Sequence, residues 1–293
     1  MNEYIDSLMQ VYDSCENDGV GMYISPPGYK NYGERSSWVT AIVIRSTDGL
    51  SHEKVFYKYA TGRNESVHYL IGIDGRVDSF APLLGRVNYV KNNSHWGGKE
   101  DVNDFSIGIA LVTKLPPLVC YSTPYSNYGK RKNGECDVSG YSSFQMESLL
   151  KLLKCLKPKY SIKDKNIIAA SDADPDSADP GVAFDWNTLH RKGYGEYSYA
   201  NVTKTVTQEA LLARDANHTA IFQGYLRKIG HEVEITGVQD EQFALVVRSF
   251  QLHHSSVRSL SATKVWGILD METFAKAEEL AGLNVEYEGE EEL

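Results

Sequence analysis

No stretch of this chain approaches the roughly 20 apolar residues that a membrane-spanning helix needs, so no helical span is expected. Cysteine is scarce. Cys15, Cys120, Cys136 and Cys155 form no CxxC pair, which argues against a thiolate zinc site. They are also too few for a disulfide-built scaffold of this length. Positive charge is in deficit: 30 Lys and Arg against 39 Asp and Glu give a net charge of −9. That balance disfavours nucleic acid and anionic membrane as partners. None of the eight histidines stands four residues from another, and HExxH is absent, so the helical zinc motif of metalloproteases is missing. The opening MNEYIDSLMQVYDSC has neither the basic start nor the apolar core of a signal peptide. The expected location is cytoplasmic by default, or export by a leaderless route.

What is present suits a folded protein. Hydrophobic residues make up 42% and charged residues 24% of 293, enough for one medium and one small domain. Residues 1–37 read as an irregular arm. Short β-branched runs at Val39–Ile44, Val67–Ile73, Val77–Phe80, Phe105–Val112 and Ile167–Ala170 predict strands, with a hairpin turn at Asp74-Gly75. Ser142 followed by Gln145 is a capping box. The leucines at 149, 152, 153 and 156 then share a helical face, and Pro158 is expected to stop that helix. Residues 113–142 form a long polar insertion, of the kind that usually carries a function. Cys120 and Cys136 bracket part of it. They either close that loop as a disulfide or remain reduced, and the missing leader favours the reduced form.

Beyond residue 200 the pattern changes. Residues 201–217 read as a linker and entry helix. Three apolar helical stripes follow: Ile221 to Ile229, stopped by Gly230; Phe243 to Phe250; and Phe274 to Ala281. The sequence thus predicts an α/β domain over 38–200 with a central mixed sheet flanked by helices, a small three-helix domain over 218–283, and an acidic tail over 284–293.

Four segments in order, AIVIRSTDG, SVHYLIGIDGRV, VNDFSIGIALV and SDADPDSADPGVAFDW, resemble the zinc-dependent N-acetylmuramoyl-L-alanine amidases of the T7-lysozyme and peptidoglycan-recognition-protein type, in their AmiD-like form. The helical part, through RKIGHEVEITGVQDEQFALVVRSFQLHH, resembles the peptidoglycan-binding module often fused to them. The resemblance spans roughly residues 36–281. It implies two histidines and an aspartate on zinc, leaving a position for water. It also implies a glutamate that takes the water's proton and a basic residue that stabilises the oxyanion.

Here the two histidine positions hold Arg45 and Ala170, and the aspartate survives as Asp179. The glutamate position holds Ala110 and the basic one Ser177, although the loop there is one residue shorter. A tryptophan–histidine pair of the cleft is replaced by Tyr89-Val90. A guanidinium stays protonated and cannot ligate a metal. Arg45 is instead expected to pair with Asp179.

These substitutions suggest a protein that binds a peptidoglycan fragment or a protein partner through the former groove without cleaving it. The expected cofactor is none: zinc is lost, and calcium on Asp172, Asp174 and Asp176 is a weak candidate because the loop lacks the glycine and glutamate of a calcium motif. His68, Tyr69, Tyr89, Trp96 and Asp179 are candidate binding residues. Two alternatives stay open: an active amidase with a rearranged site built on Asp179, His68 and the Asp172–Asp176 carboxylates, and a structural scaffold. Partner identity and oligomeric state are not encoded in any motif.

Overall fold

The structure, a computed structural model, describes residues 22–24, 31–49, 51–61, 65–115, 118–125, 140–201, 207, 215–255 and 265–283. The first half contains β1 (Met22–Ile24), β2 (Gly33–Glu34), β3 (Ala41–Ser46), α1 (His52–Thr61), β4 (Tyr69–Ile71), β5 (Val77–Ser79), β6 (Gly85–Arg86), β7 (His95–Trp96) and β8 (Lys99–Glu100). Then come α2 (Val102–Phe105), β9 (Ser106–Leu111), α3 (Ser143–Lys159), β10 (Ile167–Ala169), α4 (Ala170–Ala173) and α5 (Trp186–Arg191). Three helices close the chain: α6 (Ala216–Ile229), α7 (Glu241–His254) and α8 (Met271–Leu283). Among the described residues, no helix is long and apolar enough to cross a membrane.

The main sheet has the order β1-β5-β4-β9-β3-β10. Only the β4–β5 hairpin is antiparallel, so the sheet is mixed as expected. Its central strands are apolar on both faces because both faces are covered. On one face Ile42, Ile44, Tyr69, Ile71, Ile107, Ile109 and Ile167 pack on Leu149, Leu152, Leu153 and Leu156 of α3. On the other, Ala41, Val43, Leu70, Ala110 and Ile168 meet Val55 and Tyr59 of α1, and this core continues into Phe222, Phe243 and Phe250 of the C-terminal helices.

The Ser142 capping box is formed. Ser142 Oγ accepts from the Gln145 N–H at 3.1 Å, and Gln145 Oε1 accepts from the Ser142 N–H at 3.0 Å. Helix α3 runs one residue past Pro158 rather than stopping there, since a proline near the end removes few helical bonds. Hydrophobic spacing does not predict α1: it buries only Val55, Tyr59 and Ala60, too sparse a stripe to stand out.

The end of the N-terminal arm is fastened by Arg35, whose guanidinium donates to the carbonyls of Asp104 (2.6 Å), Gly85 (2.8 Å) and Ser106 (2.9 Å). The arm expected to be irregular contributes β1 to the edge of the main sheet and β2 to a small ribbon with β6; residues 1–21 and 25–30, most of the 113–142 insertion and 201–217 linker, and the 284–293 tail lie outside the described residues. Cys120 and Cys155 are both disulfide-bonded, which corrects the reading of reduced thiols; Cys136 lies outside the described residues.

Candidate active-site cleft

The period-2 pleat of a strand decides which side chains can meet. Arg45 follows Ala41 and Val43 on one face of β3, and its register partner on β9 is Ala110. Ala169 pairs with Ile44, so Ala170 begins α4 beside the end of β3. Asp179 reaches the same place from the loop after α4, where its peptide bond to Pro180 is cis. Arg45, Tyr89, Val90, Ala170, Ser177 and Asp179 line one cleft of about 650 Å³, together with Glu65, Asn88, Lys91, Asn92 and Asp174.

Arg45 occupies the centre. Its Nε lies 3.4 Å from Asp179 Oδ2 and donates to the Ser46 carbonyl at 3.1 Å. Its Nη1 lies 3.1 Å from Glu65 Oε1 and donates to the Tyr89 carbonyl. The other Asp179 oxygen accepts the Ser46 N–H. Burial opposes the Arg45 charge, but Asp179, Tyr59 and Glu65 outweigh it and raise its pKa. Burial also raises the Asp179 carboxyl, with Arg45 and the Ser46 N–H pulling it back down. The guanidinium is thus a fixed cation of the site.

The remaining predicted residues go elsewhere. His68 is fully buried. Its Nδ1 accepts the Gly108 N–H at 3.0 Å, so Nε2 carries the proton toward the Gly85 carbonyl, also at 3.0 Å. Burial holds its pKa at about 3, leaving a neutral structural imidazole. Tyr69 points to the opposite face of the sheet, into the α3 core. The Tyr89 ring is buried against Gly108, where a Cβ would approach it to 2.6 Å, so little of this lining residue is exposed. Trp96 is buried against Gly230 and His231, at the seat of the C-terminal helices. Of the five binding candidates, Tyr89 and Asp179 line the cleft and His68, Tyr69 and Trp96 do not.

The three calcium candidates do not converge. Asp172 Oδ2 accepts from the Ala169 N–H at 2.8 Å and contacts His253 Nδ1 at 2.6 Å, buried behind α4. Asp174 and Asp176 both turn to Lys91, at 3.4 and 2.5 Å. The capping role of Asp172 and the lysine between Asp174 and Asp176 keep the three carboxylates from forming one calcium site. Among the described residues no group of three His, Cys, Asp or Glu side chains could hold a metal ion. Sequence reasoning missed Glu65, Asn88, Lys91 and Asn92; three of these flank Tyr89-Val90, which was the available signal.

The family model described as N-acetylmuramoyl-L-alanine amidase matches residues 35–182. The chain belongs to this amidase family. AmiD of Escherichia coli is 30% identical over 193 residues, covering 64% of this chain and 60% of the relative. RC0497 of Rickettsia conorii, provisionally named as the same kind of amidase, is 25% identical over 241 residues, covering 81% of this chain and 83% of the relative. The solved structure of E. coli AmiD with the substrate anhydro-N-acetylmuramic acid-L-Ala-D-γ-Glu-L-Lys shares the fold, with a TM-score of 0.63 at 22% identity over 89% of this chain and 97% of that one.

Membership in this amidase family corrects the expectation that the chain carries no cofactor. The match makes zinc the metal against which the site must be judged. The donors at the matching positions do not form a zinc set: Arg45 and Ala170 offer none, and Asp179 is engaged by Ser46 and Arg45. No step through a metal is therefore derived from these residues.

Proposed function

We propose that this amidase-family protein binds an anhydromuramyl-peptide-type fragment of peptidoglycan in the cleft and does not hydrolyse it by the family's reaction. The observation that carries this reading is the Arg45 guanidinium, seated against Asp179 where the resemblance implies a metal ligand. Ala110 and Ala170 supply neither a proton acceptor nor a ligating atom, and Ser177 carries no positive charge. The cleft itself is retained, with room for a fragment of sugar or peptide. The substrate named in the AmiD complex supplies the ligand class.

Bound-metal analysis of the purified chain, combined with incubation against an anhydro-N-acetylmuramoyl tripeptide, tests the proposal. Saturable binding with no release of the L-Ala-peptide is expected. Stoichiometric zinc with release of that peptide would overturn it and establish an active amidase. As a companion test, Arg45→His with Ala170→His places both imidazoles back at the strand end. Zinc uptake by this variant above the wild-type level would show that the loop geometry around Asp179 still matches a ligand set.

A further inference from the structure

The charged acceptors of the cleft are already engaged. Glu65 is held by Arg45 at 3.1 Å and Lys58 at 2.5 Å, Asp174 by Lys91 at 3.4 Å, and Asp179 by Ser46 and Arg45. Several donors are not. The rim between β6 and β7 is anchored by Arg86, which holds Asp101 through two bonds, at 3.1 and 2.9 Å. The same guanidinium donates to Asn88 Oδ1 at 2.5 Å and to Asn92 Oδ1 at 3.2 Å. A guanidinium has only donors, so the oxygen end of each amide must face it. Both amide NH2 groups are thereby turned away from Arg86, and both asparagines line the cleft.

The backbone beneath them is fixed. Asn88 N–H donates to Ser66 Oγ at 3.1 Å, and its carbonyl accepts the Ser66 N–H at 2.9 Å. The fully buried Asn103 side chain accepts the Tyr89 and Val90 N–H groups, both at 3.2 Å, and donates to the Val90 carbonyl at 2.9 Å. Donors on a rim held this way lose little freedom when a ligand arrives.

We propose that Asn88 and Asn92, oriented by Arg86, are specificity-determining donors of this cleft and read acyl oxygens, carbonyl or carboxylate, of the bound fragment. This rests on the ligand reading above and deepens it: with the cleft carboxylates engaged internally, the ligand groups that fit are acceptors rather than ammonium groups. Arg86 is a positioning residue, acting through the two amides.

The test is calorimetric titration of the full chain with anhydro-N-acetylmuramoyl-L-Ala-D-γ-Glu-L-Lys. Asn88→Ala and Asn92→Ala are each expected to weaken binding about tenfold, the scale of one hydrogen bond of ~1.4 kcal/mol. Asn88→Asp and Asn92→Asp, which keep an oxygen for Arg86 but turn an acceptor outward, are expected to lose more than the alanine variants. Thermal melting of each variant within a few degrees of wild type shows that the fold is retained. Repeating the titrations with the ligand's carboxylates converted to amides separates the two oxygen sources: the loss caused by Asn88→Ala and Asn92→Ala shrinks if they read a carboxylate and persists if they read a carbonyl. Wild-type saturation with all four variants within twofold of wild type would overturn this assignment alone. No wild-type saturation would overturn the ligand reading and the assignment with it.

Discussion

Arg45 and Asp179 form a pair whose two halves depend on each other. Removing the guanidinium leaves Asp179 buried and, among the described residues, dependent on Ser46 for its donors. Arg45→Ala is expected to cost about 2–4 kcal/mol, read as a lower urea midpoint at pH 7. A second prediction concerns the buried imidazoles. Burial depresses His231 to about 4, from an ordinary 6.5, and lowers His254 well below that value, with His253 adding to both effects. His68, at about 3, belongs with them. The unfolded chain takes up protons first as pH falls through 6.5. Stability is therefore whole above that pH and declines toward pH 4, with His68 extending the loss further. Asp179 acts in the opposite sense, because burial raises its folded value. Urea unfolding followed from pH 7.5 to 4 should show the decline, and His231→Gln should flatten it.

At the scale of elements, the C-terminal helices brace the cleft. Arg248 of α7 is almost completely buried, and its Nη2 donates to the carbonyls of Pro175 (2.7 Å), Asp176 (3.1 Å) and Ser177 (3.2 Å). These carbonyls belong to the loop that carries Asp179. Arg248→Lys keeps the charge but gives up the second nitrogen, Nη1, which donates to the Tyr121 carbonyl at 3.3 Å, and with it the planar fork that fixes Nη2 over the loop. Faster amide exchange over residues 174–180 is expected, with smaller changes in the main sheet. Gly108→Ala addresses the other wall, since its Cβ would meet the Tyr89 ring. Overpacking there is expected to cost about 1–3 kcal/mol in a thermal or urea melt.

The strands around the cleft were legible because period-2 alternation is local. It places Arg45 with Val43, and it would also have placed Tyr69 opposite Leu70, away from the cleft, had it been applied there. Trp96 could not be placed in this way. Its seat is Gly230, more than 130 residues along the chain, and the bond between Gly97 N–H and the Gly230 carbonyl at 2.8 Å follows from tertiary packing alone. The calcium pattern failed for a related reason: alternate aspartates look alike in sequence, while capping, a histidine and a lysine distribute them in space.

Considered as a whole molecule, the apolar core runs without a break from Ala41 and Val43 to Phe243 and Phe250. Division into a 38–200 domain and a 218–283 domain remains a proposal about sequence ancestry. For stability we expect one cooperative unit. Urea unfolding followed by tryptophan fluorescence and by far-ultraviolet circular dichroism should give coincident transitions. Two separated transitions would show that the helical part unfolds independently. Cys120 and Cys155 are disulfide-bonded and add covalent closure to this unit. Thiol titration of the denatured, unreduced chain should find neither cysteine reactive.

The position of Arg45 makes it a shared tether. Its side chain ties together Ser46, Glu65, Tyr89 and Asp179, which lie on separate parts of the chain except for Ser46. A histidine introduced there alone would strip Glu65 of one partner and leave the Tyr89 carbonyl without its donor. Exchanging Arg45 in isolation is therefore penalised through four partners at once, and a stable replacement would need coordinated changes at several of these positions.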